Sequence, residues 1–410
     1  MRGCCVFPAA LSPKLCTKPE TMLTGQNIVY FGDAWHGLMR NRHNILSILA
    51  RHNRVFFIER RPHLRPTLQA FRQGELTLKD VWRSSIRKVS ENLYVFRYPL
   101  WAPVSGRFPL KPITRTIQNI HLQAALRQLK LTQPIVFFYH PEWLDWVEAI
   151  PSPKVRLYHV VDDYTSYQGV PEARRGLIAE RERCLLAQVD AVFVVSPALY
   201  EAKCRFHERV HLIPNGVNYE AYTEALRDPD LPTEVRHLPP PRIGYSGLIG
   251  DKLELEMLRE LAQINAGWSF VFLGAVNAAR KADTWQAMRA LPNVHYLAEI
   301  PWERVPHYLK GLDVGLMPYV QDGHAATISP LKLYDYLAAG LPIAALDIPA
   351  VHEFASLVSI AEHPADFQQA LQVALRDNSL ERREARRAVA SQHSWGARVE
   401  QFSTVIEGLL

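Results

Sequence analysis

The chain has 410 residues, 48% of them hydrophobic and 21% charged, and a formal net charge of +6. That length exceeds one ordinary core and implies two domains of roughly 200 residues each. The composition is that of a soluble globular protein, and the lack of any run of about 18 apolar residues excludes a hydrophobic helical membrane span.

The charge is uneven. Residues 1–218 hold 30 Lys and Arg against 17 Asp and Glu, a balance of +13, and residues 219–410 carry −7. Much of the excess sits in Arg51, Arg54, Arg60, Arg61, Arg65, Arg72, Lys79, Arg83, Arg87 and Lys88. Such a patch suits an anionic membrane surface, a nucleic acid or an acidic substrate, or merely keeps the surface soluble. Cys4, Cys5 and Cys16 precede the folded body, which keeps only Cys184 and Cys204. Neither has a CxxC partner or histidines at metal-ligand spacing, so no metal site is expected and a reducing cytoplasm is the expected location. Residues 1–23 are read as a disordered or non-native start, with Met22 a candidate initiator. The segment lacks a long apolar stretch, and Pro8, Pro13 and Pro19 interrupt it.

In chain order, Asn27 to Phe31 predicts a strand, followed by the loop Gly32-Asp33-Ala34-Trp35-His36-Gly37 and a helix from about Arg40 to Arg51. Strands follow at 54–58, 93–98, 135–139, 155–161, 191–195 and 210–213, with helices at 113–129, 141–149 and 172–187. Residues 219–241 are polar, end in three prolines and read as a linker. A second series starts at 242. Strands at 242–247, 269–274, 294–297, 314–318 and 342–346 alternate with helices at 251–265, 278–290, 302–309 and 330–339, and helices cover much of 363–410. Alternation in both halves predicts an α/β fold of two Rossmann-like domains: 24–218, then 242–392, with 393–410 as a closing helix. Ligands in such sheets bind beyond the carboxyl ends of the strands, so the cleft between the domains is the default site.

The most informative stretch is Ser329-Pro330-Leu331-Lys332-Leu333-Tyr334-Asp335. Ser329 is placed as the N-cap and Pro330 at the first helical position, with Gly340 and Pro342 stopping the helix. A helix N-terminus with Lys332 in its first turn suits a diphosphate, and Asp335 one turn on suits ribose hydroxyls. A nucleotide-diphosphate donor fits both. A solvated helix face is the plain alternative.

Several motifs share an order along the chain: Val194-Val195-Ser196-Pro197, Ile213-Pro214-Asn215-Gly216-Val217, Arg242 to Gly247, Phe272-Leu273-Gly274, Leu316-Met317-Pro318-Tyr319, Lys332 to Pro342, and His393-Ser394-Trp395. With these the sequence resembles the retaining, GT-B-fold glycosyltransferases of family four that assemble surface polysaccharides. The resemblance runs from about residue 24 to the end. It implies sugar transfer from a nucleotide-diphosphate sugar, bound by the C-terminal domain, to a glycan or lipid-linked acceptor held by the N-terminal one. It also implies a closing segment that crosses back. No cofactor is implied beyond that co-substrate. No DxD-like acidic loop is evident, which argues against a metal, and no nucleic-acid partner is expected. A cytoplasmic protein, peripheral at the inner face of the membrane, is the expected setting.

Residue by residue, the resemblance places Ser246, Gly247, Lys252, Gly274, Ile300, Ser329, Pro330, Leu331, Lys332 and Asp335 at the donor. Gly32 would let its loop approach the diphosphate. Lys252 is equally well read as a helical surface lysine. The family carries two Glu residues eight positions apart, at the places of Thr327 and Asp335 here, and both positions depart from that pattern. His140, Asp162 and Asp163 end strands where catalytic side chains belong, although a His at a strand end is more often structural. Asp33, Trp35 and His36 are candidate acceptor contacts. Two other readings remain open from sequence: a nucleotide-sugar epimerase of the same fold, and a non-catalytic sugar-nucleotide-binding partner of an assembly complex.

Overall fold

A computed structural model describes residues 22–35, 41–60, 71–72, 84–99, 110–166 and 171–410. His36, Arg61, Arg65, Lys79 and Arg83 lie outside the described residues. In the first half, β1 (Asn27–Gly32), β2 (Arg54–Glu59), β3 (Ser85–Ser90), β4 (Leu93–Arg97), β5 (Ile135–Phe138), β6 (Val155–Val160), β7 (Ala191–Val194) and β8 (Val210–Leu212) build one sheet. Their order is β3-β4-β2-β1-β5-β6-β7-β8, parallel except where β3 runs antiparallel to β4. Continuous apolar runs such as Ile28-Val29-Tyr30-Phe31 are buried because helices cover both faces. Leu122 and Leu126 of the Leu110–Gln128 helix pack on one face, and Ile45, Leu46 and Leu49 of the Asn41–Leu49 helix on the other.

The second half holds β9 (Arg242–Ser246), β10 (Ile249–Gly250), β11 (Ser269–Leu273), β12 (Val276–Asn277), β13 (Val294–Tyr296), β14 (Val314–Met317), β15 (Ile343–Leu346) and β16 (Val358–Ala361). Six of these form a parallel sheet in the order β13-β11-β9-β14-β15-β16, and β10 pairs β12 separately. In each sheet the order reverses beside the first strand, between β1 and β5 and between β9 and β14. Those reversals open the crevices where ligands of doubly wound sheets bind.

The segment 219–241 corrects the linker reading. It contains helices Tyr219–Arg227 and Thr233–Arg236, and Tyr222 and Val235 enter the second core, so burial on one face overrides its polar composition. The chain passes between the sheets twice, and the passages are joined. Val217 N–H donates to His393 O at 3.1 Å, and Trp395 N–H returns to Val217 O at 3.0 Å. The last helix, Trp395–Glu407, capped by Ser394, then packs on the first sheet. Phe402 lies 4.6 Å from the Phe193 ring and 5.3 Å from His159. Trp395, Val399, Phe402 and Ile406 are all buried there, each contributing about 1.5–3 kcal/mol.

Candidate active site

On the C-terminal side the site is built where β9, β11 and β14 end. Gly247, just after β9, adopts φ +136° and Gly274, just after β11, φ +135°, values that favour glycine. A Cβ on Gly274 would strike the Gly247 carbonyl, so these two loops touch backbone to backbone. The loop after β14 is fastened to the loop after β10. Glu254 N–H donates to Pro318 O and Val320 N–H to Lys252 O, both at 2.9 Å. This zipper puts Tyr319 beside Lys332 and His324 beside Lys252.

Lys332 donates to the Tyr319 hydroxyl, and its ammonium sits 5.0 Å from the Tyr245 ring centroid and 4.9 Å from that of Tyr319. A Cβ on Gly247 would meet the end of the Lys332 side chain. Burial works against this ammonium, but the tyrosine oxygens around it more than offset that and hold its pKa above the ordinary lysine value. It is therefore a fixed positive charge at the loop mouth, with aromatic faces rather than a carboxylate as its nearest company. Behind it, burial pushes the Asp335 carboxyl up to about 6, although the Tyr222 hydroxyl and the Lys332 charge both lower it.

Ser329 is not the helix cap. The Leu331–Ala338 helix is preceded by an extended Pro330 with no side-chain cap. The Ser329 hydroxyl instead accepts from Asn215 N–H at 3.2 Å, a bond to the crossover that local sequence does not reveal. The Thr327 hydroxyl donates to His324 O at 3.0 Å within its own turn, so it does not stand in for a carboxylate. Pro330 is buried, Leu331 packs against the first domain's core, and Ile300 against the second. Ser246 N–H donates to the Tyr336 hydroxyl at 3.0 Å.

Facing this side, His140 follows β5 and caps the 3-10 helix Pro141–Ala149. Its Nδ1 accepts from Glu142 N–H at 3.1 Å, so the proton of the neutral ring is on Nε2. Burial is the main reason its pKa falls below the usual value. Glu142 and Asp33 oppose that fall, and Arg60 and Arg174 add to it. The Tyr164 ring lies 4.3 Å away. Asp163 accepts from Thr165 N–H at 3.0 Å and from the Thr165 hydroxyl at 2.6 Å, so it shapes the turn after β6, and its charge also raises the pKa of His324.

Asp162 differs. It is close enough to the opposite domain to raise the pKa of both Lys252 and His324, which burial otherwise lowers. Lys252 donates to His324 Nε2 at 2.7 Å, and Asp322 accepts from the backbone N–H groups of His324 and Ala325. Asp162, Lys252 and His324 thus form one electrostatic cluster across the cleft. His324 was missed in sequence, and Tyr319 was noted only as the end of a motif, because their loop carries no regular spacing; the signal was its place directly after β14.

Gly32 is also corrected. The space its missing Cβ leaves is filled by the Phe57 ring, so the glycine serves packing and not access to a ligand. Asp33 pairs loosely with Arg60 at 4.0 Å. Trp35 is tied down, its N–H donating to Glu59 at 2.7 Å and its ring 4.6 Å from His43. Among the described residues no group of three or more His, Cys, Asp or Glu has metal-holding geometry.

Comparison with known proteins bears on the second half. Residues 240–377 match the family described as Glycosyl transferases group 1. The chain is also 30% identical over 248 residues to the putative teichuronic acid biosynthesis glycosyltransferase TuaH of Bacillus subtilis, covering 56% of this chain and 60% of that one. Among solved structures, sucrose-phosphate synthase from Thermosynechococcus elongatus superposes with a TM-score of 0.65 at 17% identity, over 94% of this chain and 99% of that one. WaaG, a glycosyltransferase involved in lipopolysaccharide biosynthesis, gives 0.61 at 14% identity, over 93% and 100%. At those identities the likeness establishes the fold, two parallel α/β domains of the GT-B kind. The matched residues span the loops after β9, β11 and β14 and therefore the whole Lys332 neighbourhood.

Proposed function

We propose that the protein is a glycosyltransferase that takes a sugar from a nucleotide-diphosphate sugar and passes it, with retention, to a glycan or lipid-linked acceptor in surface-polysaccharide assembly. The observation that carries this reading is the Lys332 site: a half-buried fixed cation, a helix N-terminus and the positive-φ Gly247 loop converge at the carboxyl ends of one sheet, opposite His140 and Asp162 on the other. The likeness to TuaH, a putative teichuronic acid biosynthesis glycosyltransferase, and to WaaG, involved in lipopolysaccharide biosynthesis, supports the acceptor class.

In this reading the donor diphosphate lies against Lys332 and the Gly247 loop, where the missing Cβ leaves room for it, and Asp335 accepts from the ribose. As the glycosidic bond to the diphosphate breaks, negative charge builds on the departing oxygens. Groups already fixed in place stabilise it without reorganising. His140, neutral and protonated on Nε2, donates a hydrogen bond to the transferred sugar. No carboxylate pair of the glycosidase kind is required.

The acceptor would be met at a membrane. The edge strand β3 exposes Arg87, Lys88 and Val89, and the Leu110–Gln128 helix exposes Ile113 and Ile120 beside Arg115 and Arg127. Apolar side chains among cations suit an anionic lipid surface. No helix among the described residues is long and apolar enough to cross a membrane.

The test is turnover. The protein is incubated with a panel of nucleotide sugars, with and without glycolipid extracted from bacterial membranes, and nucleoside diphosphate release is measured. Release that depends on the extract supports transfer. Sugar interconversion without extract would point to an epimerase, and binding without either to a non-catalytic partner.

A further inference from the structure

The two helices that open toward the cleft, Asn41–Leu49 in one domain and Leu331–Ala338 in the other, are joined by side-chain amides. The Asn41 side-chain oxygen accepts from Arg42 N–H at 2.7 Å, in the first turn of the first helix. Its Nδ2 donates to Asn215 Oδ1 at 3.2 Å. Asn215 Nδ2 in turn donates to Ser329 O at 2.7 Å, two residues before the second helix, while Asn215 N–H donates to the Ser329 hydroxyl. Both amides are buried, Asn41 at 6% exposure and Asn215 at 9%. Asn215 itself is anchored in the crossover, its carbonyl accepting from Arg398 Nε at 3.2 Å. Neither side-chain amide serves catalysis as derived above; Asn41 fastens the first domain's helix to Asn215, and Asn215 carries the link on to Ser329 in the second domain. Buried amides are costly unless satisfied, so this geometry holds only while the two helix starts keep this spacing.

We propose that Asn41, Asn215 and Ser329 form an amide relay that fixes the donor-binding helix against the acceptor domain, and that Asn41 and Asn215 are positioning residues for the transfer reaction. The relay deepens the glycosyltransferase reading and its kinetic consequence rests on that reading; its structural consequence does not. Donor contacts lie in the C-terminal domain and His140 in the other. Breaking the relay therefore leaves the donor bound but lets the sugar drift from its partner, a loss expressed in kcat.

The test uses Asn41→Asp in the full chain. The carboxylate keeps an acceptor for Arg42 N–H, and the Nδ2 donor gives way to an oxygen that repels Asn215 Oδ1. In hydrogen exchange without nucleotide, the amides of residues 333–336 in the opposite domain should exchange about fivefold faster, the worth of one hydrogen bond of about 1 kcal/mol. Acceleration confined to residues 41–45 would overturn the relay. With the nucleotide sugar that turns over, Asn41→Asp, Asn215→Ala and the double variant should each lose about fivefold in kcat with donor KM near normal, because a relay broken once is broken. Losses that multiply in the double variant, or that fall on KM, would also overturn it. If no nucleotide sugar turns over, the glycosyltransferase reading fails while the exchange result still judges the relay.

Discussion

Asp335 carries the sharpest prediction, because burial and function pull it in opposite directions. Its carboxyl is pushed up to about 6 from an ordinary 3.8, so folding favours the protonated form. The stability it contributes is fully present below pH 3.8 and is lost as pH rises through about 6. A shift of about two units corresponds to at most about 3 kcal/mol of cost at neutral pH, less whatever solvent reaches the partly exposed side chain. Asp335→Asn keeps an oxygen for the Tyr222 hydroxyl and removes the charge. Urea unfolding of both proteins at pH 5 and pH 7.5 should show wild type losing about 1.4 kcal/mol relative to the variant between those values. The same variant should bind a ribonucleoside diphosphate more weakly while binding of the 2′-deoxy analogue stays level. A stability difference that does not grow with pH would refute the burial argument. Equal losses for ribo and deoxy forms would refute the ribose contact.

Three further outcomes are expected. His140→Asn keeps an acceptor for Glu142 N–H, so the local helix survives, but kcat should fall about tenfold, or about 1.4 kcal/mol, with donor affinity unchanged; normal turnover would make His140 a cap and nothing more. Gly274→Ala should lower unfolding stability by at least about 2 kcal/mol, since the methyl meets the Gly247 carbonyl at a φ that side chains rarely adopt, and a neutral result would contradict the backbone contact. Sedimentation with phosphatidylglycerol vesicles should show binding at low salt that weakens at 0.5 M and in an Ile113→Asp, Ile120→Asp double variant; no binding at low salt would end the membrane proposal.

Much of this architecture was legible in the sequence, because parallel strands buried on both faces read as short unbroken apolar runs, as in Ile135–Phe138 and Ala191–Val194. β3, Ser85–Ser90, escaped notice because an edge strand with one open side needs no such run and carries Arg87 and Lys88 instead. The helices at 219–236 escaped because three large side chains, Tyr219, Tyr222 and Val235, suffice to seat short polar helices on a core formed elsewhere. In the site, local rules found Lys332 and its helix, since Pro330 fits the start and Gly340 and Pro342 mark the stop. They misassigned Ser329 and Gly32, whose partners, Asn215 and Phe57, are distant in sequence. The pairing of Lys252 with His324 is likewise a product of strand order, as β9 and β14 become neighbours only once the sheet forms.

The central claim is that the Lys332 neighbourhood binds a nucleotide diphosphate. Isothermal titration of wild type and Lys332→Ala with UDP, ADP, GDP and TDP tests it most directly. At least one should bind wild type, and Lys332→Ala should weaken it by about 1.5–3 kcal/mol, the worth of a hydrogen bond to a charged group. Binding to none of the four, or equal affinity in both proteins, would contradict the account.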